Sequence, residues 1–127
     1  MHESGEDYLE TILMIKNRKG SVRSIDVARE LGFSRPSVSR AISILQNDGF
    51  VIKKEDGELV LTEIGIEKAT AVYDRHTTLT KFIQMVCGVD ETSAEEDACR
   101  IEHVIHEETF AGIKKFIIEH NEELTSK

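Results

Sequence analysis

The feature that most constrains the fold is a pair of short helical segments separated by Gly32 and a turn of three residues. The first segment, SIDVAREL over residues 24–31, has the apolar spacing of a helix, with Ser24 as its expected N-cap. Gly32 follows in the position where many helices end in a left-handed residue. Pro36 opens the second segment, which Gly49 closes. The pattern predicts two helices joined by a tight turn.

A β-hairpin is predicted directly after these helices. Residues 51–54 and 58–61 are β-prone, and they flank Asp56-Gly57, a strong signal for a hairpin turn. Helix, short turn, helix and hairpin follow one another in the order of a winged helix-turn-helix, in which the hairpin is the wing.

Further helices are predicted from apolar spacing over residues 5–17, 63–87, 93–107 and 110–120. Thr62 is the expected cap of the long helix, and Ser93 with Glu96 has the spacing of a capping box. The expected fold is therefore mainly α. It joins a winged helix-turn-helix with a small β-hairpin wing, over residues 1–62, to a helical region over residues 63–127.

Charge is divided unevenly along the chain. The net charge is −8, yet residues 16–54 hold nine Lys and Arg against three acidic residues. Residues 55–127 hold seven Lys and Arg against 17 acidic residues. A basic segment between acidic ones is typical of a polyanion-binding face on an acidic body. Charge alone leaves chance clustering on a solvated surface as an equal alternative.

Composition bears on the cellular compartment. No apolar run is long enough for a transmembrane helix, and the start MHESGEDYLE has no features of a signal peptide. Two cysteines, Cys87 and Cys99, are too few for a disulfide framework. We expect a cytoplasmic protein with reduced thiols and no membrane partner.

The second helix of the pair carries the side chains expected to contact DNA. Hydroxyl and guanidinium groups are donors to phosphates and guanine edges, and the two wing lysines could reach the neighbouring backbone. The residues of the second helix and the wing that we expect at the DNA are Ser34, Arg35, Pro36, Ser37, Ser39, Arg40, Lys53 and Lys54. The apolar positions Val38, Ala41, Ile42 and Leu45 face the other way. A helical hairpin with ordinary polar groups, or a winged helix used for protein contacts, is the alternative.

Ligand-type side chains occur on three other segments. Asp7 and Glu10 share one helix face, His76 lies on the long helix, and a third group combines Cys99, Glu102 and His103 at spacings of three and four. Carboxylates, imidazoles and a thiolate suit a divalent first-row metal. Each has a plainer explanation: acids favouring a helix dipole, a surface or core histidine, a small core cysteine and a solvated Glu–His pair.

These stretches together resemble a known family. EDYLETI, DVARELGFSRPSVSRAI, LQNDGFV, LVLTEIG, YDRHTTL and DACRIEHVIHEE are similar to the diphtheria-toxin-repressor family of metal-dependent regulators, and to its short branch typified by the manganese transport regulator. The resemblance covers about residues 5–120. It implies a homodimer that represses transcription once Mn(II) or Fe(II) binds, and a pseudo-palindromic double-stranded DNA operator. The longer branch adds a barrel domain, for which we expect no room here.

The resemblance also implies a ligand set. Asp7, Glu10, His76, Glu102 and His103 stand where manganese-type members have ligands. Cys99 departs, since that branch has Glu there and the iron branch has Cys, whereas the iron branch has Met in place of Asp7. The iron branch's second site, beside His76, maps onto Thr80 and Glu95, so that site is only partly kept and Glu95 is an additional candidate ligand. His106 matches no ligand of the family.

The implied cofactor is Fe(II) or Mn(II), with Zn(II) or Co(II) able to bind in vitro. Neither an organic substrate nor enzymatic activity is expected. One alternative is a winged-helix regulator that senses an oxidant or an organic ligand, which insensitivity to chelators would reveal. A small metalloenzyme needs a substrate pocket that so short a chain has little room for. A metal-buffering or protein-interaction domain leaves Arg35, Arg40 and the wing lysines unexplained.

Overall fold

The structure is a computed structural model that describes the backbone of residues 3–125 and the side chains of residues 5–120. Six helices and two strands follow one another in the order α1 Glu3–Lys19, α2 Ser24–Leu31, α3 Arg35–Asn47, β1 Val51–Lys53, β2 Leu59–Leu61, α4 Glu63–Cys87, α5 Glu91–Ile101 and α6 Glu107–Thr125. The chain forms two units, Met1–Val72 and Tyr73–Lys127, so that α4 begins in the first and ends in the second. No helix in the described part of the chain combines the length and apolar character needed to cross a membrane.

In the first unit, α2 and α3 form the helix pair that the sequence predicts. Gly32 ends α2 in the left-handed region, at φ 70°. Ser34 then caps α3, because its hydroxyl oxygen accepts a hydrogen bond from the Ser37 backbone N–H at 3.3 Å. Pro36 lies in the first turn of α3, where the N–H it lacks has no helical partner anyway.

The wing is a two-stranded antiparallel hairpin in which Ile52 pairs with Val60. Gly57 occupies its turn at φ 92°. The loop before α2 adds a short third edge, since Arg23 bridges to Glu58. This bridge connects the small sheet to the loop that leads into α2 of the same unit.

Each unit has its own hydrophobic core. In the first unit the apolar faces of α1, α2 and α3 meet β1, β2 and the start of α4, and the largest fully buried side chains there are Leu9, Ile12, Ile15, Val22, Val27, Val38 and Leu59. In the second unit Leu79, Ala98 and Phe110 bring α4, α5 and α6 together. The predicted fold class, mainly α with a winged helix-turn-helix and a helical region, is confirmed.

Several helix boundaries differ from the predictions: α1 and α6 extend beyond the predicted ranges 5–17 and 110–120 at both ends, and the caps of α2 and α5 lie elsewhere. Arg23, not Ser24, is the N-cap of α2, and the Asp26 carboxylate accepts a hydrogen bond from the Arg23 backbone N–H at 2.9 Å. Asp90, not Ser93, caps α5, and its carboxylate accepts from the Ser93 backbone N–H at 2.8 Å. The predicted helix over 93–107 ends at Ile101, and residues 102–104 form a turn.

Candidate metal and nucleic-acid sites

Three of the ligand-type residues of the second unit, His76, Glu102 and His103, lie together around one carboxylate. Glu102 is 0% exposed, and its Oε2 lies 3.0 Å from His76 Nδ1. Its other oxygen, Oε1, lies 3.2 Å from His103 Nε2. Two imidazoles from α4 and from the turn after α5 thus flank a single buried carboxylate. The alternative of a solvated Glu–His pair is wrong.

The chemistry of this cluster fits a divalent cation. Burying a carboxylate is costly unless hydrogen bonds, an opposite charge or a metal compensates it. Within the described residues, Glu102 Oε1 accepts no hydrogen bond of good geometry, although His103 lies beside it. Two imidazole nitrogens and a carboxylate oxygen are the donors that Mn(II), Fe(II) and Zn(II) take in proteins. The residues present are therefore suited to hold such an ion.

The other predicted ligands occupy different environments. Asp7 and Glu10 lie one turn apart on α1, where Glu10 is 7% exposed and Asp7 is half-buried. Cys99 lies exposed on α5 and forms no disulfide, so the alternative of a core cysteine is wrong. His106, directly before α6, is exposed as well.

Glu95 and His76 line the same cavity of about 230 Å³ in the second unit, together with Thr80 and Lys81. The Thr80 hydroxyl donates to the carbonyl oxygen of His76, one turn earlier in α4, at 2.7 Å. The additional candidate ligand, Glu95, therefore shares a cavity with the Lys81 side chain, whose positive charge opposes a second cation there.

The polar side chains of α3 are presented to solvent. Val38, Ile42 and Leu45 are buried and Ala41 is half-buried, as the apolar spacing predicts. The exposed residues are Ser34, Arg35, Pro36, Ser37, Ser39 and Arg40. Ser34 is also the N-cap, and its hydroxyl lies 2.9 Å from that of Ser37. The start of α3 therefore offers hydroxyl and guanidinium groups on one surface, and helix N-termini favour phosphate.

Contacts that the sequence did not reveal hold the wing in place. The Gln46 side-chain oxygen accepts from the Lys53 backbone N–H at 2.9 Å, which ties the end of α3 to β1. Arg23 donates to the Asp56 carbonyl oxygen in the hairpin turn. Lys53 and Lys54 are both exposed, but Lys54 forms an ion pair with Glu58 at 3.3 Å. Gln46 and Arg23 carry no sequence signal beyond their proximity to the hairpin.

Arg75 contacts the backbone beside the Glu102 carboxylate, and the sequence analysis did not identify it. Its guanidinium donates to the backbone carbonyl of Glu102 at 3.0 Å and forms an ion pair with Glu107. The only signal in the sequence is its position directly before His76.

Comparison with known proteins gives two family matches that cover most of the chain. Residues 1–59 match the model described as iron dependent repressor, N-terminal DNA binding domain. Residues 62–123 match the model described as iron dependent repressor, metal binding and dimerisation domain.

Individual relatives agree with these matches. An uncharacterized HTH-type transcriptional regulator of Methanocaldococcus jannaschii is 34% identical over 118 residues, which is 92% of this chain and 94% of that protein. The diphtheria toxin repressor of Corynebacterium diphtheriae is 30% identical over 91% of this chain but only 51% of its own length. A manganese-dependent transcriptional repressor solved in complex with manganese has a TM-score of 0.82 and 25% identity, covering 89% of this chain and 52% of that one. The chain thus spans about half the length of the latter two proteins.

Proposed function

The chain belongs to the iron-dependent repressor family, a family of metal-dependent transcriptional repressors, and we propose that it represses metal-homeostasis genes when metal-loaded. In this proposal residues 1–62 bind DNA, residues 63–127 bind metal and dimerise, and the protein acts in the cytoplasm without enzymatic activity. The observation that carries it is the fully buried Glu102 carboxylate, flanked by two imidazoles, within the segment that matches a metal-binding domain.

We assign metal binding to His76, Glu102 and His103, with Asp7 and Glu10 of α1 and Cys99 of α5 as further ligands on the strength of the resemblance. The ion itself would supply positive charge to the carboxylates among these ligands. Asp7 and Glu10 belong to the unit that carries α3, so their share in binding would link metal occupancy to the DNA-competent state. A coupling of about 1–3 kcal/mol corresponds to a 5–150-fold change in DNA affinity.

On the DNA side, Ser34, Arg35, Pro36, Ser37, Ser39 and Arg40 would contact the major groove, and Lys53 and Lys54 the adjacent phosphates. A homodimer would place two copies of α3 on a pseudo-palindromic operator, one helical turn apart or a multiple of it. The exposed hydroxyls and guanidiniums of α3 support this assignment.

The direct test is selection of genomic DNA fragments by chelator-stripped protein, performed anaerobically with Mn(II), Fe(II), Zn(II) or no added metal. We expect specific fragments only with Mn(II) or Fe(II). Equal recovery without metal would leave a DNA-binding protein and refute the metal switch. Recovery that tracks an oxidant and ignores the chelator would favour a redox sensor.

Asp7→Ala tests the coupling. It should abolish the metal-dependent gain in DNA affinity while the metal-free affinity stays unchanged. Glu6→Ala is a matched control on the same helix, since Glu6 forms an ion pair with Lys68 at 3.1 Å. The coupling is refuted if Asp7→Ala retains the full metal response.

We propose Fe(II) or Mn(II) as the physiological metal, with Zn(II) and Co(II) as in vitro substitutes. A thiolate ligand shifts preference away from Mn(II), so Cys99→Glu should strengthen the Mn(II) response relative to Fe(II). Cys87→Ser, which changes the other exposed thiol, is the control. An unchanged metal ranking in Cys99→Glu would show that the thiol does not set selectivity.

A further inference from the structure

Arg75 makes three contacts from one half-buried guanidinium in the second unit. Its Nη1 donates to the Glu102 carbonyl oxygen at 3.0 Å. Its Nη2 pairs with Glu107 in the first turn of α6. The guanidinium carbon also lies 5.5 Å from the centroid of the Phe110 ring, within the range of a cation–π contact. One side chain of α4 therefore contacts both the turn after α5 and the start of α6.

The turn that Arg75 contacts follows the end of α5, and the Val104 and Ile105 backbone N–H groups close it by donating to the Ile101 carbonyl oxygen at 3.0 and 3.1 Å. The Glu102 backbone N–H still donates to the Ala98 carbonyl at 2.9 Å, but α5 ends at Ile101. Beyond a helix end the last carbonyl groups have no helical donor and need a partner from elsewhere. Arg75 supplies that donor for the Glu102 carbonyl.

Two consecutive residues of α4 thus contact the two parts of Glu102. Arg75 contacts its backbone carbonyl, and His76 contacts its carboxylate at 3.0 Å. Since the backbone of Glu102 fixes where its side chain begins, the Arg75 contact restricts the positions that the carboxylate can reach. The same backbone leads directly to His103.

We propose that Arg75 is a positioning residue for the metal site, which holds Glu102 in the orientation that binds the ion. This inference rests on the proposed metal-binding function. Arginine suits the role because its planar group can donate to a carbonyl, pair with a carboxylate and lie over a ring at the same time. Lysine retains the charge but has a single ammonium group that cannot make all three contacts.

The test measures Mn(II) binding to the full chain by calorimetry, for the wild type, Arg75→Gln and Arg75→Lys. We expect Arg75→Gln to weaken Mn(II) binding by about 10–100-fold, the usual cost of losing a residue that orients a ligand. Arg75→Lys should recover little of that loss. The absorption spectrum of the Co(II)-loaded protein should also change in both variants, because the ligand geometry changes.

Lys114→Gln is the matched control. Lys114 lies 5.7 Å from the same Phe110 ring and forms an ion pair with Asp74 at 2.8 Å. In the presence of a chelator, we expect Lys114→Gln to lower the melting temperature about as much as Arg75→Gln does. Its Mn(II) affinity should stay within about threefold of wild type. Equal losses of Mn(II) affinity in the two variants would reduce Arg75 to a structural role and overturn the inference.

Glu107→Gln provides a variant that is safe for folding, since Glu107 is 85% exposed. It removes one partner of the guanidinium, and we expect a weaker but measurable loss of Mn(II) affinity. If His76→Ala abolishes Mn(II) binding while Arg75→Gln and Glu107→Gln both leave the Mn(II) affinity unchanged, the inference is refuted and the proposed function stands. A wild type that binds neither Mn(II) nor Co(II) would refute the proposed function and this inference together.

Discussion

Gly65 lies so close to the Phe50 carbonyl that no side chain fits between them. A Cβ atom added at Gly65 would lie 2.0 Å from the Phe50 carbonyl oxygen. Thr62 maintains this approach, since its backbone N–H donates to the same oxygen at 3.0 Å and its hydroxyl donates to the Gly49 carbonyl at 2.6 Å. Gly65, in the first turn of α4, therefore has a role in packing. From the sequence alone it is only a residue that weakens a helix.

Gly65→Ala should destabilise the protein, because the backbone must move away from the added methyl group. We expect a loss of about 1–3 kcal/mol in the free energy of unfolding, as for other overpacked sites. Gly112→Ala on α6 is the control, since its Cβ would meet no atom within 4 Å. That change should be neutral or stabilising by up to about 1 kcal/mol. Urea denaturation of both variants checks this, and equal effects would contradict the steric argument.

At the scale of single residues, the sequence identifies the candidate ligand side chains but does not predict their surroundings. Glu102 and His103 stand out by residue type and spacing, yet nothing local shows that Glu102 is fully buried or that His76 lies 3.0 Å from it. Those facts depend on how α4 packs against the turn after α5, across a separation of 26 residues. Arg75 was missed for the same reason.

Among the secondary-structure elements, boundaries marked by special residues were predicted best. Gly32 and Pro36 bracket the turn between α2 and α3, and the observed helices end and begin there. The end of α5 has no such marker: Ile101 is followed by neither Gly nor Pro. Its end coincides with the tertiary contact from Arg75 to Glu102, which a local pattern cannot contain. The start of α5 was misplaced because Asp90 and Ser93 are both good capping residues.

Because the Asp90 carboxylate caps α5, we expect the stability of the folded protein to depend on pH. Hydrogen bonds from the Ser93 backbone N–H and then from its hydroxyl hold the pKa of the Asp90 carboxyl below its ordinary value of 3.8. A lowered pKa in the folded state means that the ionised carboxylate stabilises the fold above that ordinary value, and that this contribution is lost as the pH falls through the lowered pKa.

Asp90→Ala should therefore lower the melting temperature at neutral pH, and the difference from wild type should shrink as the pH falls below about 4. Ser93→Ala should have a smaller effect, because the backbone N–H that donates to Asp90 remains. Thermal melts followed by circular dichroism from pH 7 to pH 2 measure both differences. A constant difference across that range, or a larger effect of Ser93→Ala, would contradict the assignment of Asp90 as the cap.

On the scale of the whole molecule, a protein of net charge −8 is proposed to bind a polyanion. This is physically consistent because salt screens charges that are more than about 8–10 Å apart. The binding strength then depends on the few cations that touch phosphates, and much less on the distant acids. The two wing lysines differ in whether an acidic side chain already pairs with their charge. Lys54 is paired with Glu58 at 3.3 Å, whereas the Lys53 ammonium forms no ion pair with any described residue.

This difference predicts unequal salt dependence for two neighbouring lysines. For the metal-loaded protein on a fragment recovered by selection, Lys53→Ala should reduce the slope of log affinity against log salt by about one. Lys54→Ala should reduce it by less, because Glu58 already neutralises part of that charge. Lys115→Ala on α6, where Lys115 faces Glu119 at 3.9 Å, should leave the slope unchanged. Fluorescence anisotropy titrations at several salt concentrations give the three slopes. If all three variants shared the wild-type slope, the wing would not contact phosphates, and DNA binding would rest on α3 alone.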